Sequence, residues 1–398
     1  MRLSSTDFMT PASERIFDAI RTAGGEVRYV GGCVRDALLK RSGADVDMAT
    51  TLSPEAVLKA LQTADIFTIA TGLEHGTITA ISHGKAFEIT TLRRDIACDG
   101  RHAEVAFSEN WQEDAARRDF TMNALYMAQD GTVYDYFDGI ADAQRGIVRF
   151  IGDPQARIAE DGLRILRLFR FYAHYGVQPI AKEDLRACAA NASMLRQLSG
   201  ERIQNEMLKL LSAPQDKVVK ALEYMQQAQL LAHIACDVVD IQTLATLPVE
   251  ATQPLVRLAA LLHNGDSAEA VMLRWKLSNK DKAFLRGVLP VNADAMAQWD
   301  EWMQKKILRQ QSPEQFVAQV QIAMALRPEH VTHYKHMLNL ADSWHIPEFP
   351  VTGRDLLALG LEQSKQLGQW LHKLEAIWES EPYQPDRAAL LDIARQWL

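Results

Sequence analysis

The chain has 398 residues and a mass of 44.6 kDa, with 47% hydrophobic and 24% charged residues. This is ordinary globular composition, which excludes a disordered chain, a collagen-like repeat and a disulfide-stapled miniprotein; at roughly 100–200 residues per domain it predicts two or three folded units. The net charge of −8 argues against indiscriminate polyanion binding, but it is unevenly spread: residues 1–150 carry 16 Lys+Arg against 22 Asp+Glu, residues 151–211 carry 9 against 7, and residues 212–398 carry 18 against 22. Only the middle segment is basic, and a local basic stripe acts over about a Debye length whatever the total charge.

The opening MRLSSTDFMTPASERIFDAI has no apolar signal-peptide core. No stretch approaches the roughly 18 uninterrupted apolar residues of a membrane helix. An amphipathic helix is expected over 13–22, ended by Gly24-Gly25. A strand over 27–30 runs into Gly31-Gly32 and a helix over 34–39, and a second strand is expected over 45–49. Ser53-Pro54-Glu55 opens a further helix, with an N-cap and a proline in the first turn. Residues 66–70, 76–81 and 86–92 read as strands rich in Thr and Ile. From Asp153-Pro154 onward the pattern is helical, with 3.6-residue periodicity over 158–175, 202–211 and 217–231. Seven of the eight tryptophans lie beyond residue 250, as expected of large apolar anchors between packed helices. The fold class is α+β: a head of mixed sheet and helices over 1–150, a helical neck over 151–212, and a helical body and tail over 213–398. Cys33, Cys98, Cys188 and Cys236 lie far apart without a CxxC pair, which argues for a reducing compartment, hence the cytoplasm, and against structural zinc.

Asp45-Val46-Asp47 falls on the second expected strand. Strand side chains alternate faces, so both carboxylates reach one point. Two acids so close repel unless a cation lies between them, and Mg²⁺ is the usual partner of hard oxygens. Upstream, Gly31-Gly32 joins strand to helix, where glycine lets backbone N–H groups approach phosphate oxygens; Arg35 follows within reach of the same phosphates. An Asp-x-Asp alone is a common solvated strand end. Two glycines, twelve residues and then Asp-x-Asp is a more specific arrangement, and it resembles the nucleotidyltransferase superfamily that includes DNA polymerase β. That resemblance implies a third carboxylate on a neighbouring strand, for which Glu88 is the best candidate.

Arg117-Arg118-Asp119-Phe120-Thr121-Met122-Asn123 sets two guanidiniums beside an acid, with an amide four residues later. At i,i+4, Asp119 and Asn123 are expected to share a helix face. They suit ribose hydroxyls, while the arginines suit phosphates. YVGGCVRDALL, DVDMATT, EITTLRRD, ARRDFTMNALY and RIAEDGLRILRLFRF occur in order. Together they resemble the class II tRNA nucleotidyltransferases of the tRNA nucleotidyltransferase/poly(A) polymerase family, over residues 28–212. Beyond 212 the likeness rests on helical character alone.

The resemblance implies that Gly32 and Arg35 contact an incoming triphosphate, that Asp45 and Asp47 hold Mg²⁺, and that Arg117, Arg118, Asp119 and Asn123 serve ribose and phosphates. The implied reaction adds C, C and A to tRNA 3′ ends from CTP and ATP without a template. It also implies that Asp161 and Arg164 select the base, with Arg167 in the same pocket. Three apart on one helix, Asp161 and Arg164 emerge on one face. Cytosine and adenine both offer an amino donor beside a ring-nitrogen acceptor, which a carboxylate and a guanidinium complement. Uracil and guanine offer the reverse polarity, and mismatched buried polar groups give discrimination of about 10⁴–10⁵. The plain alternative is a helical ion pair worth a few tenths of a kcal/mol.

Residues 199–206 resemble the family's fifth motif, expected to support the pocket. The GRRF-type run of poly(A) polymerases is absent, and residues 93–107 are long enough for the flexible loop that accompanies full CCA addition. Leu261-Leu262-His263-Asn264 has Asn where a phosphohydrolase would need a metal-binding Asp, so no such activity is expected. Thr352-Gly353-Arg354-Asp355 reads as a capped helix start. tRNA is the expected macromolecular partner, without membrane or DNA. The alternatives are a poly(A) polymerase, a catalytically silent RNA-binding protein, and a nucleotidyltransferase acting on a small molecule.

Overall fold

The structure is a computed structural model that describes the chain apart from residues 4–6, 44, 73–75, 99–102, 236–238, 266, 361–364 and 398. Two compact units divide the chain: Met1–Ile241 with Glu269–Leu277, and Gln242–Ala268 with Ser278–Leu398.

The first unit opens with α1 (Pro11–Thr22), started by a capping box between Thr10 and Ser13 and by Pro11 in its first turn. β1 (Val27–Val30) leads through Gly31 into α2 (Gly32–Leu38), then β2 (Asp47–Thr50) and α3 (Pro54–Thr63). β3 (Phe67–Gly72), β4 (Thr77–Ser82) and β5 (Lys85–Thr91) follow. β6 (Arg93–Cys98) and β7 (Ala103–Phe107) pair as a separate two-stranded ribbon. Residues 93–107, read as long enough to hold a flexible loop, are largely paired strand, and their connection, 99–102, lies outside the described residues. α4 (Trp111–Ala116), β8 (Leu125–Met127), β9 (Val133–Asp135) and α5 (Gly139–Arg145) complete the head.

The main sheet has the order β3-β4-β5-β2-β1-β8-β9. Its β2/β5 pair is parallel, whereas the others are antiparallel, which makes the sheet mixed. β8 and β9 are only three residues each, too short for an alternating pattern to be recognised. Their anchor is Tyr126, fully buried with Trp111, Val30 and Leu92 in one apolar cluster. β2 begins at Asp47 and not at Asp45, so Asp45 is an exposed residue just before the strand.

The helix expected over 158–175 is in fact two: α6 (Pro154–Glu160) and α7 (Leu163–Tyr175). Asp161 is extended, at φ −156° and ψ 110°, and its carboxylate accepts the Leu163 N–H at 3.0 Å, so it starts the second helix as a cap would. Gly162 allows the break to pack: a Cβ there would lie 2.9 Å from Cβ of Met194. α8 (Lys182–Ala190), α9 (Gly200–Leu211) and α10 (Gln215–Gln227) follow, with α7 packed on both α9 and α10.

The second unit is helical throughout its described residues, with one apolar cluster around Phe316, Tyr334 and Met337 and another around Trp370, Leu374, Trp378 and Leu390. Trp275 belongs to the first unit, where it is fully buried and donates to the Ile234 carbonyl at 2.7 Å. Thr352 and Asp355 form a capping box, and Asp355 is further held by Arg387 at 2.5 Å. Among the described residues, no helix is long and apolar enough to cross a membrane.

Candidate active site

The parallel pairing of β2 with β5 sets Asp47 directly opposite Glu88. Asp47 is half-buried, while Glu88 and Asp45 are exposed. Burial pushes the Asp47 carboxyl up to about 6; the charges of Glu88 and Asp45 push the same way, and Arg118 opposes them. Like charges gathered on one partly desolvated oxygen pair are what a hard divalent cation relieves, so this donor set fits Mg²⁺. Among the described residues, no three carboxylate, imidazole or thiol groups already stand close enough to form a ready-made cage. The carboxylates are neighbours, with Glu88 contributed by the adjacent strand.

Gly31 sits at φ +73° and ψ −123°, a backbone conformation open to glycine and strained for any side chain. A Cβ at this position would lie 3.5 Å from Arg118 Nη1. The glycine turn and Arg118 therefore face one another. Asp114, on α4, is almost fully buried and accepts from Arg117 Nε at 2.9 Å, Arg118 Nη2 at 3.1 Å and Tyr126 OH at 2.7 Å. Burial raises its carboxyl, but Arg118, Arg117 and Tyr126 outweigh that and hold it at about 2.

Asp119 and Asn123 do not share a helix face: α4 ends at Ala116, and Thr121–Asn123 is a 3₁₀ turn. They meet nonetheless. Asn123 Nδ2 donates to Asp119 Oδ1 at 3.0 Å, and Arg167 Nε donates to Asp119 Oδ2 at 2.7 Å. Burial raises the Asp119 carboxyl, and Arg167 and Asn123 more than offset it, leaving it below the usual range. Arg35 is buried, bonded to Asp36 through Nε and Nη2, to Tyr175 through Nη2 and to Asn123 Oδ1 through Nη1. Four of its five N–H groups are thus committed, so Arg35 mainly braces Asn123.

At the α6–α7 break, Asp161 and Arg164 do not bond each other, so the helical ion pair that was the plain alternative does not form. Asp161 Oδ2 accepts from Arg202 Nη2 of α9 at 2.6 Å. Arg164 is bonded to Glu160, to the Arg157 carbonyl at 2.9 Å and to the Arg117 carbonyl at 3.0 Å. Arg157 also pairs with Glu160 and donates to the Ala116 carbonyl at 3.0 Å. These arginines satisfy carbonyls left open at the end of α4. The base-side groups are thereby bolted to the arginine segment.

One cleft of about 620 Å³ unites these parts: Gly31, Gly32, Asp47, Arg118, Asp161 and Arg164 all line it. Its wall carries seven arginines (35, 93, 117, 118, 164, 167 and 202) against three aspartates, a basic lining suited to a nucleoside triphosphate, with Asp36, Asp114 and Glu160 behind it pairing with four of the arginines. Sequence reasoning missed Asp114, Glu160 and Arg93 in or behind this wall. Asp114 had left a signal, standing three and four residues before the two arginines it holds.

Comparison with known proteins shows the family and the fold. The family described as "Poly A polymerase head domain" matches residues 27–149, and "Probable RNA and SrmB- binding site of polymerase A" matches 179–238. The mitochondrial CCA tRNA nucleotidyltransferase 1 of Danio rerio is 36% identical over 384 residues, covering 93% of this chain and 87% of the relative. The CCA-adding enzyme of Levilactobacillus brevis is 33% identical, covering 90% and 91%. The crystal structure of the Bacillus stearothermophilus CCA-adding enzyme in complex with CTP superposes with a TM-score of 0.78 at 26% identity, over 97% of this chain and 98% of that one. The head is thus common to poly(A) polymerases, but identity sustained along almost the whole chain is to the CCA enzymes, and the chain belongs to the CCA tRNA nucleotidyltransferase family.

Proposed function

We propose that the protein adds C, C and A to tRNA 3′ ends from CTP and ATP, without a nucleic-acid template. The observation that carries this reading is the single cleft lined by both Asp47 with its arginines and Asp161 with Arg164. Catalytic carboxylates and a base-reading pair serve one nucleotide only if they share its site. In this reading the head is 1–150, the neck 151–212, and the body and tail 213–398 hold the acceptor arm.

Asp45 and Asp47 hold Mg²⁺, with Glu88 as the third carboxylate. Bound Mg²⁺ supplies charge neutralisation at the α-phosphate and at the leaving pyrophosphate. The Gly31-Gly32 turn and the free edges of Arg117 and Arg118 take the triphosphate. Asn123, braced by Arg35 and Asp119, places the ribose, and Arg167 keeps Asp119 ionised. The RNA 3′-oxygen forms a bond to the α-phosphorus while the bond to the bridging oxygen breaks, and the hydroxyl proton passes to Glu88. Positioning and charge complementarity supply most of the acceleration in such transfers.

Asp161 accepts from the amino group of C or A, and Arg164 donates to the ring nitrogen through its Nε edge. Asp161 meets the base already oriented, because Arg202 and the Leu163 N–H fix its rotamer. The cytoplasm is the proposed location, supported by the buried free thiols of Cys33 and Cys188. The test is incubation with a tRNA lacking CCA and each NTP in turn. Growth should stop after three nucleotides, with U and G refused. Homopolymer growth from ATP would identify a poly(A) polymerase, and RNA binding without incorporation would identify a silent clamp.

A further inference from the structure

We propose that Asp114, backed by Tyr126, is the positioning residue that presents both triphosphate arginines to the nucleotide. This rests on the reading of Arg117 and Arg118 as triphosphate ligands. Asp114 stands behind the cleft and not in its wall, packed within the head's apolar cluster beside Trp111, Ala115 and Tyr126. Its carboxylate is 1% exposed, yet it receives two guanidiniums, a phenol and the Arg93 N–H at 3.3 Å. A buried carboxylate so placed is stable only while its cations stay with it.

The pattern of donors shows what this does to the arginines. Arg117 bonds Asp114 through Nε and Nη2. Arg118 bonds Asp114 through Nη2 and Tyr126 through Nε at 3.2 Å. Both therefore spend their inner edge on the protein and keep Nη1 for the cleft, and that of Arg118 lies over the glycine turn. Among the described residues, neither pairs with a second carboxylate. A free arginine loses rotamer entropy when it binds, so pinning two of them beforehand makes phosphate capture a preorganised event. Tyr126 ties the arrangement to the sheet: it is a β8 residue paired with Val30, next to Gly31. The glycine turn and both arginines thus hang from one strand pair.

The test measures CTP and CMP binding, with kcat/KM for CTP and ATP, in full-length Asp114→Asn. Loss of a charge-assisted hydrogen bond of about 1.5–3 kcal/mol predicts that CTP affinity and kcat/KM fall roughly 10–100-fold. The fall should be equal for CTP and ATP, with CMP binding, tRNA binding and refusal of UTP and GTP unchanged. Tyr126→Phe keeps the buried ring and should lose about 3–10-fold in the same pattern. In a double-mutant cycle, Asp114→Asn should cost much less once Arg118→Ala is present. Unchanged CTP affinity in folded Asp114→Asn, or equal losses for CTP and CMP, overturns the proposal. If Asp114→Asn does not fold, Tyr126→Phe alone and combined with Arg118→Ala decides, and additive losses refute the coupling. If Arg117→Ala and Arg118→Ala themselves leave CTP affinity intact, it is the triphosphate assignment that fails.

Discussion

Where β2 and β5 run side by side, Asp47 stands opposite Glu88 with Asp45 just before its strand, and of the three only Asp47 is partly withdrawn from water. Its neutral analogue Asp47→Asn should cut nucleotide incorporation by about 10³-fold, several kcal/mol of lost charge stabilisation, while a gel-shift assay still shows tRNA binding. Incorporation within tenfold of the natural protein would remove Asp47 from the chemistry. Arg164→Ala should act differently, relaxing the choice among the four nucleotides more than it weakens CTP binding. A uniform loss with all four in a competition assay would assign Arg164 to structure only. These residues were legible because each belongs to a short, ordered motif whose chemistry is unusual. The pairings among them were less so. Arg202 reaches Asp161 across 41 positions of sequence, and Arg35 reaches Asn123 across 88, separations at which no local pattern operates.

At the scale of elements, the 3.6-residue rhythm ran straight through Asp161-Gly162, because Ile158 before the break and Ile165, Leu166 and Phe169 after it are all buried. What divides α6 from α7 is a close contact with Met194 and a side-chain cap, neither of which periodicity contains. The ribbon of β6 and β7 was hidden in another way: a charged opening, Arg93-Arg94-Asp95, reads as loop until its partner strand is known. α8 carries a cost of its own. Asp184 is buried, one carboxylate oxygen lacks a hydrogen-bond partner, and burial pushes its carboxyl up to about 7, reinforced by Glu183 and opposed by Arg149. An acid raised in the fold is neutral in both states at low pH, so it weakens the fold as pH climbs from the unfolded value of about 3.9 through about 7. Asp184→Asn should therefore stabilise the protein by about 1–3 kcal/mol at pH 8. The gain should fade toward pH 4 in denaturant titrations, and a gain that does not change with pH would refute the ionic origin.

For the molecule as a whole, the charge of −8 conceals a cleft lined mainly by arginines. Composition foretold a globular protein, and the change from strand to helix near residue 153 was plain from the periodicity. The division into compact units at Ile241, with Glu269–Leu277 returning to the first, was not, because chain order says nothing about which helix packs on which. Binding of tRNA should weaken by at least about tenfold between 50 and 200 mM salt, the mark of displaced counterions. Fluorescence anisotropy with labelled tRNA checks this, and a flat salt response would mean that phosphates are not what is held. The contact from Arg164 to the carbonyl of Arg117 has a kinetic meaning. In the proposed reading, a base that sits badly should pull on the peptide that carries the phosphate grip, leaving the reactive end out of line. Fidelity in this enzyme should consequently be written into turnover more than into residence: UTP lodges, but seldom reacts.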